Sequence, residues 1–400
     1  MIPLNFAPRC LIIARVLRMM NFLLPIMVLF YQDKGATIGD VFLIQGAWAI
    51  SVFFLEIPSG YLGDLCSRKT MVTLSFLVCA GANFLMGFGY GFWVLLCGEL
   101  LLGFSHALYS GTAEAYYHDL LKKRSKEGKL HKKLAKLETF SMTGLAVATV
   151  LAGFVYSWLG ANACAYLTGI LSLVAFGIVC FLPNIKESKR VVADNISKFK
   201  DLMNISKFTM KHPEIKWLIL FPACYGALTF VLLWGMQPMM VDKEVPVYLF
   251  GFIAGFNMFC RTGWAYLSGV LLDKIKLRKT ARVLFYTLCI GAISACVIMS
   301  AHNMVLVYAL LALIAIANAS QMAVEIITSN FVHHRIKSDE RSTILSVKSM
   351  ISMFASGTLM ILIKPLIDVF GIQMTFILCG LLVIPTFVAM MHLLKLRIKE

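Results

Sequence analysis

The sequence predicts an all-α polytopic membrane protein of twelve transmembrane helices, arranged as two six-helix bundles. Three observations carry this. The 400 residues are 59% hydrophobic and only 14% charged, with a mean hydropathy of +0.80, whereas soluble domains hold about 45–50% apolar and about 25% charged residues. Charge-poor runs of spanning length recur along the whole chain. Of the 37 Lys and Arg residues, 31 fall on one side of the resulting alternation and 3 on the other, the bias that orients membrane helices.

A spanning helix needs about 20 mostly apolar residues. On that measure the spans lie at 10–31, 39–62, 70–89, 92–115, 138–158, 162–182, 216–240, 246–271, 282–301, 304–330, 342–363 and 369–394. Two apolar runs are too long for one crossing. The first breaks at Gly160–Asn162 and the second at His302–Asn303, so each forms a hairpin. The N-terminal run carries an Arg9 flank and no convincing cleavage site, and is expected to be a retained first helix. The positive side is the cytoplasm, so both termini are expected there.

The longest polar stretch, 183–215, separates six spans from six. It divides the chain into an N-terminal bundle (1–182), a cytoplasmic linker (183–215) and a C-terminal bundle (216–400). The basic stretch 118–137 is expected to extend the fourth and fifth helices and rest on anionic headgroups, so membrane lipids are partners. The net charge of +16 is confined to short loops, which argues against a nucleic-acid partner. The eleven cysteines form no CxxC pair, and no His/Cys cluster has metal spacing. No metal and no cofactor are expected. Compact loops suggest a bacterial inner membrane.

One motif occurs twice. After the second span the chain reads Gly60-Tyr61-Leu62-Gly63-Asp64, then Arg68-Lys69. After the eighth it reads Gly269-Val270-Leu271-Leu272-Asp273, then Arg278-Lys279, with the basic pair shifted by one residue. The copies are 209 residues apart, about half the chain, which makes an internal repeat of the kind that transporters use. Gly60 permits close helix approach. Asp64 can accept N–H bonds at a helix N-terminus, where the dipole favours a carboxylate. Arg68 and Lys69 can reach Asp64 or headgroups.

This pattern resembles the signature loop of the major facilitator superfamily. The flanking Leu55-Glu56-Ile57-Pro58-Ser59-Gly60 is similar to a subgroup with glutamate in the second helix. The resemblance implies alternating access, a small-molecule substrate and a monomer. It makes Gly60, Asp64, Arg68, Lys69, Gly269, Asp273 and Arg278 candidate cytoplasmic gate residues. It also places helices 1, 4, 7 and 10 around a central cavity, with 2, 5, 8 and 11 assisting and 3, 6, 9 and 12 at the periphery. Two features depart from the family. Gly98-Glu99 puts an acid where an arginine is common, and the fifth helix has Gly144 and Gly153 but no proline.

An ionisable group in a spanning helix costs roughly 2.5–3.5 kcal/mol on insertion scales and is a functional candidate by default. Arg15, Arg18, Glu56, Glu99, Glu114, Arg261 and Glu325 qualify, and His106 can relay a proton. Matching depth suggests that an arginine of helix 1 pairs with Glu56. Arg261 is expected to face Glu325, Glu99 or an anionic substrate. Glu56 and Glu99 are the candidates for proton coupling, so protons are an expected partner. Glu114 and Glu325 occupy corresponding repeat positions, as gate or interfacial charges. Tyr225, Trp234, Gln237, Asn257, Asn318 and Gln321 can line a cavity for an amphipathic ligand or serve helix packing.

The expected function is therefore secondary transport, with proton-coupled export of an amphipathic drug or metabolite first. The alternative is an uptake or exchange carrier for an organic anion. A membrane enzyme is a remote third, since no nucleophile set, HExxH or P-loop is present.

Overall fold

The computed structural model describes residues 2–123, 130–185, 213–271, 277–335 and 338–397. Every regular element among them is helical, and no strand occurs there. In chain order the helices are α1 Ala7–Met19, a 3-10 turn Leu24–Ile26, α2 Met27–Asp33, α3 Ile38–Leu65, α4 Arg68–Phe88, α5 Phe92–Tyr109, α6 Thr112–Lys122, α7 Leu130–Leu159 and α8 Ala161–Cys180. The later ones are α9 Pro213–Asp242, α10 Val247–Leu271, α11 Leu277–Ile298, α12 Met304–Ala319, α13 Gln321–Arg335 and α14 Ser338–Arg397. Among the described residues nine segments are long and apolar enough to cross a bilayer, and Arg282–Ile298 is a shorter apolar helix.

Each of the twelve expected spans coincides with helical segments, and those at 10–31, 92–115 and 304–330 each run over more than one. Helices 11 and 12 are the two arms of α14, which breaks at Gly371, where φ is +73°. The expected hairpin at 160–162 turns on Gly160 at φ +82°, and a Cβ there would meet nothing within 4 Å. The backbone angle, not space, selects glycine at both turns. The second hairpin ends at Asn303, whose side chain caps α12 by accepting from Val305 N and Leu306 N.

Helices 1, 4 and 10 are not continuous. The first unwinds between Met19 and Leu24, the fourth breaks at Ser110–Gly111 and the tenth is interrupted at Ser320. The first break is pinned from two directions: Asn21 Oδ1 accepts from Leu23 N and Leu24 N, and Phe22 N donates to Thr168 Oγ1 at 3.1 Å. The break at Ser320 is held by Tyr225, whose hydroxyl bonds Ser320 Oγ at 2.5 Å and donates to Leu284 O at 3.0 Å.

The chain divides into two compact units. One comprises residues 1–36, 54–197 and 247–251, and the other 37–53, 198–246 and 252–400. Most of the 183–215 linker lies outside the described residues. In the first unit, Gly153 of α7 fits against the start of α10, where a Cβ would sit 2.6 Å from Val247 O. In the second, Gly46 of α3 and Gly357 of α14 face each other, each leaving 2.8 Å between a Cβ and the other's carbonyl oxygen. Small residues let spanning helices approach this closely, because the bilayer supplies no hydrophobic drive between them. Phe88, Tyr90, Trp93 and Trp158, at the turns that end α4 and α7, are all highly exposed. They form the aromatic belt expected where a bilayer meets water. Beside them Lys34 is buried and donates to Gly87 O at 2.7 Å, capping the C-terminus of α4. Burial pushes the Lys34 ammonium below its usual pKa, against the opposing field of Asp33.

Candidate functional site

In the first unit the polar groups gather where helices 1 and 4 break. Arg15, in α1, forms an ion pair with Glu138 of α7 and lies 4.0 Å from Glu114 of α6. Its side chain is 9% exposed while the glutamates are about half exposed, so the buried cation gains carboxylates that water still reaches. Arg18, one turn on, donates from Nη2 to Ser105 Oγ at 2.8 Å. Its guanidinium stacks on the Tyr109 ring, 4.4 Å from the centroid. His106 lies in the field of Arg18. Glu99 is 2% exposed and accepts from the Tyr31 hydroxyl at 2.5 Å.

The expected pairing of a helix-1 arginine with Glu56 is not what this arrangement shows. Arg15 is engaged by Glu138 and Glu114, and Arg18 by a hydroxyl and an aromatic face. Equal depth, the basis for pairing with Glu56, does not fix the direction in which a helix face points. Glu56 is half-buried in α3 and, among the described residues, has no ion-pair partner.

The second unit carries its own cluster. Lys348 of α14, 3% exposed, pairs with Glu325 Oε2 at 2.7 Å and donates to Thr328 and Ser329 hydroxyls at 2.8 and 2.9 Å. Gln321 Nε2 donates to Glu325 Oε1 at 3.0 Å, and Arg261 lies in the field of the same carboxylate. Glu325 thus pairs with one cation and lies in the field of a second. Farther along α14, Lys364 bridges Asp40 of α3 at 2.9 Å and Asp368 at 2.8 Å.

The six candidate cavity residues divide. Asn257 Nδ2 donates to Asn318 Oδ1 and Ala315 O, both at 2.9 Å, and Asn318 Nδ2 donates to Thr229 O at 2.6 Å. These amides and Tyr225 are buried and tie α9, α10, α11 and α12 together, so their polar groups are committed to packing. Gln321 is half-buried, and its Oε1 has no hydrogen-bond partner. Trp234 and Gln237 are nearly buried on α9.

At the first copy of the repeated motif, Arg68 pairs with Asp119 at 2.5 Å and Lys69 donates to Cys180 O at 2.8 Å. Arg68 opens α4, where the helix dipole disfavours a cation, and Asp119 offsets that cost. Gly60 and Asp64 lie on the last turns of α3, and the Asp64 side chain lies outside the described residues. So do Asp273 and the Arg278 side chain. Gly269 is exposed, and a Cβ there would meet nothing within 4 Å, so close helix approach does not require glycine at the second copy.

Sequence reasoning missed Glu138, Lys348, Ser105 and Tyr109. One signal was available: Glu138 and Lys348 are 210 residues apart, almost the repeat distance, so each sits on the corresponding helix of its half.

The family model described as Major Facilitator Superfamily matches residues 10–356. The chain belongs to that superfamily: it is a membrane-spanning transporter of the major facilitator type, a carrier and not an enzyme. An uncharacterized transporter of Buchnera aphidicola subsp. Acyrthosiphon pisum is 24% identical over 194 residues, which is 47% of this chain and 48% of the relative. The match thus spans about half the length of that curated relative. Among solved structures, the nucleoside transporter NupG superposes with a TM-score of 0.84 at 13% identity, covering 98% of this chain and 100% of its own. A bacterial homologue of the human lysosomal transporter Spinster, inward-facing and occupied, gives 0.72 at 12% identity, covering 98% and 97%. These likenesses concern the fold.

Proposed function

We propose that the chain is a proton-coupled secondary transporter that moves a small molecule across the inner membrane by alternating access. Its halves act as two six-helix bundles joined by 183–215, its termini are cytoplasmic, and it works as a monomer in contact with lipid. The observation that carries the coupling is Glu56, a half-buried carboxylate in a spanning helix with no ion-pair partner among the described residues. A carboxylate neutralised by an arginine holds its charge through the cycle, whereas one without a cation can take up and release a proton as its surroundings change. Glu99, buried against Tyr31, is the second candidate for that role. The Arg68–Asp119 pair braces the signature loop and supports its reading as a cytoplasmic gate.

Export of an amphipathic compound is the first direction to test. Carriage of an organic anion is favoured by Arg18, which has no carboxylate within ion-pair distance among the described residues. The test uses the purified protein in liposomes with a trapped pH indicator. Amphipathic drugs, organic anions and nucleosides, the last being the cargo named for NupG, are added one at a time. A substrate is expected to move protons in wild type and not in Glu56→Gln. Proton movement unchanged in both Glu56→Gln and Glu99→Gln would refute the coupling.

A further inference from the structure

Arg18 stands beside two interruptions of spanning helix. It occupies the last turn of α1, just before the unwound Met20–Leu23 segment, and it stacks on Tyr109, the last residue of α5 before the Ser110–Gly111 break. Non-helical backbone at membrane depth is tolerated where it is buried in protein or lines a watery cavity, and substrate sites of transporters form at such breaks.

The donors here are oriented and underused. Ser105 gives its own hydrogen to Ser75 O at 2.7 Å, so toward Arg18 it acts only as an acceptor. That bond occupies one of the five N–H donors of the guanidinium. Arg18 Nε is buried with no hydrogen-bond partner, and so is the Tyr109 hydroxyl. Arg18 as a whole is half-buried. The Tyr109 ring, 4.4 Å from the guanidinium carbon, and the Phe76 ring, 5.6 Å from it, flank the fork. A guanidinium with unused donors can bind carboxylate or phosphate through two parallel bonds. The nearby glutamates do not supply that acceptor, because Glu138 and Glu114 engage Arg15. Arg15, Arg18, Glu114 and Glu138 all act on Tyr109, so the cluster is balanced in charge and an incoming anion would be held by direct hydrogen bonds.

We propose that Arg18, with the hydroxyl of Tyr109 beside it, is the docking point for the anionic group of the transported molecule, a carboxylate or a phosphate monoester. This deepens the carrier reading and rests on it for its role in transport, but binding itself needs no gradient.

The test is titration calorimetry on the purified full-length protein with benzoate, phenyl phosphate and neutral benzamide at matched ionic strength. Wild type is expected to bind one of the two anions at least about tenfold more tightly than benzamide, and the stronger of the two arms identifies the anionic group. Arg18→Met is expected to abolish that preference. Arg18→Lys keeps the charge without the fork and should weaken binding about tenfold. Tyr109→Phe should weaken it several-fold with the ligand-free melting temperature unchanged. Benzamide binding as tightly as both anions, no binding of either anion, or anion binding equal in wild type and the Arg18 variants overturns the proposal. If Arg18→Met does not fold, undiminished binding by both Arg18→Lys and Tyr109→Phe overturns it. Anion binding that depends on Arg18, together with proton flux that ignores Glu56, would sink the coupling and leave the docking point standing. The reverse pair of results would do the opposite.

Discussion

Glu138 and Lys348 hold corresponding places in the two halves with opposite charge. Glu138 serves Arg15 in the first unit, and Lys348 serves Glu325 in the second. Glu114 and Glu325 match in the same way, each lying just after the break in its helix. The buried member differs: Arg15 in one half and Lys348 in the other are nearly enclosed, and their acids are partly wet. Removing a partner from a buried cation costs more than trimming an exposed acid. Glu138→Gln should therefore destabilise the protein by about 1.5–3 kcal/mol, read as a fall in melting temperature. Glu114→Gln, which loses only a 4.0 Å contact, should cost clearly less. Equal losses would mean that the two acids share Arg15 evenly. The sequence singled out Arg15, Arg18, Glu114 and Glu325 but neither Glu138 and Lys348 nor the pairing. A span boundary fixes a residue's depth to within a turn, whereas pairing depends on which way each helix is rotated, and that is decided by packing.

At the scale of elements, the places of the apolar helices were legible, because charge-free runs and the length of a bilayer crossing leave little freedom. The hairpin turns were legible too, since Gly160 and Asn303 are local signals. The breaks inside helices 1 and 10 were not. Met20–Leu23 contains neither glycine nor proline, and although Asn21 and the following Pro25 act locally, its unwinding is also held by Thr168, a residue far along the chain in α8. Ser320 is held by Tyr225 of a different helix. The break in helix 4 has a local cause in Gly111, which sits at φ +68° and where a Cβ would meet nothing within 4 Å. Gly111→Ala should cost about 1–2 kcal/mol through backbone strain alone, seen as a lower melting temperature. Gly357→Leu has a different mechanism, because its side chain would have to displace Gly46 and Ile50. It should reduce the yield of folded protein far more than Gly269→Leu, which has open space.

For the whole molecule, the 31-to-3 division of Lys and Arg makes orientation a strong expectation. In a cysteine-free background, His302→Cys should react with a membrane-impermeant maleimide added to intact cells. Lys123→Cys should react only after permeabilisation. The opposite pattern would invert the topology and with it the assignment of the signature loop to the cytoplasm. The direction of transport and the cargo were not legible, since they depend on a handful of side chains whose partners only the folded chain assembles.

The central claim is that Glu56 couples cargo to protons, and one measurement separates coupling from carriage. In liposomes, exchange of labelled for unlabelled substrate at equal pH needs alternating access but no net proton transfer, whereas accumulation driven by a pH gradient needs both. Glu56→Gln is predicted to retain exchange within a few-fold of wild type and to lose gradient-driven accumulation. Accumulation by Glu56→Gln at the wild-type level would contradict the claim.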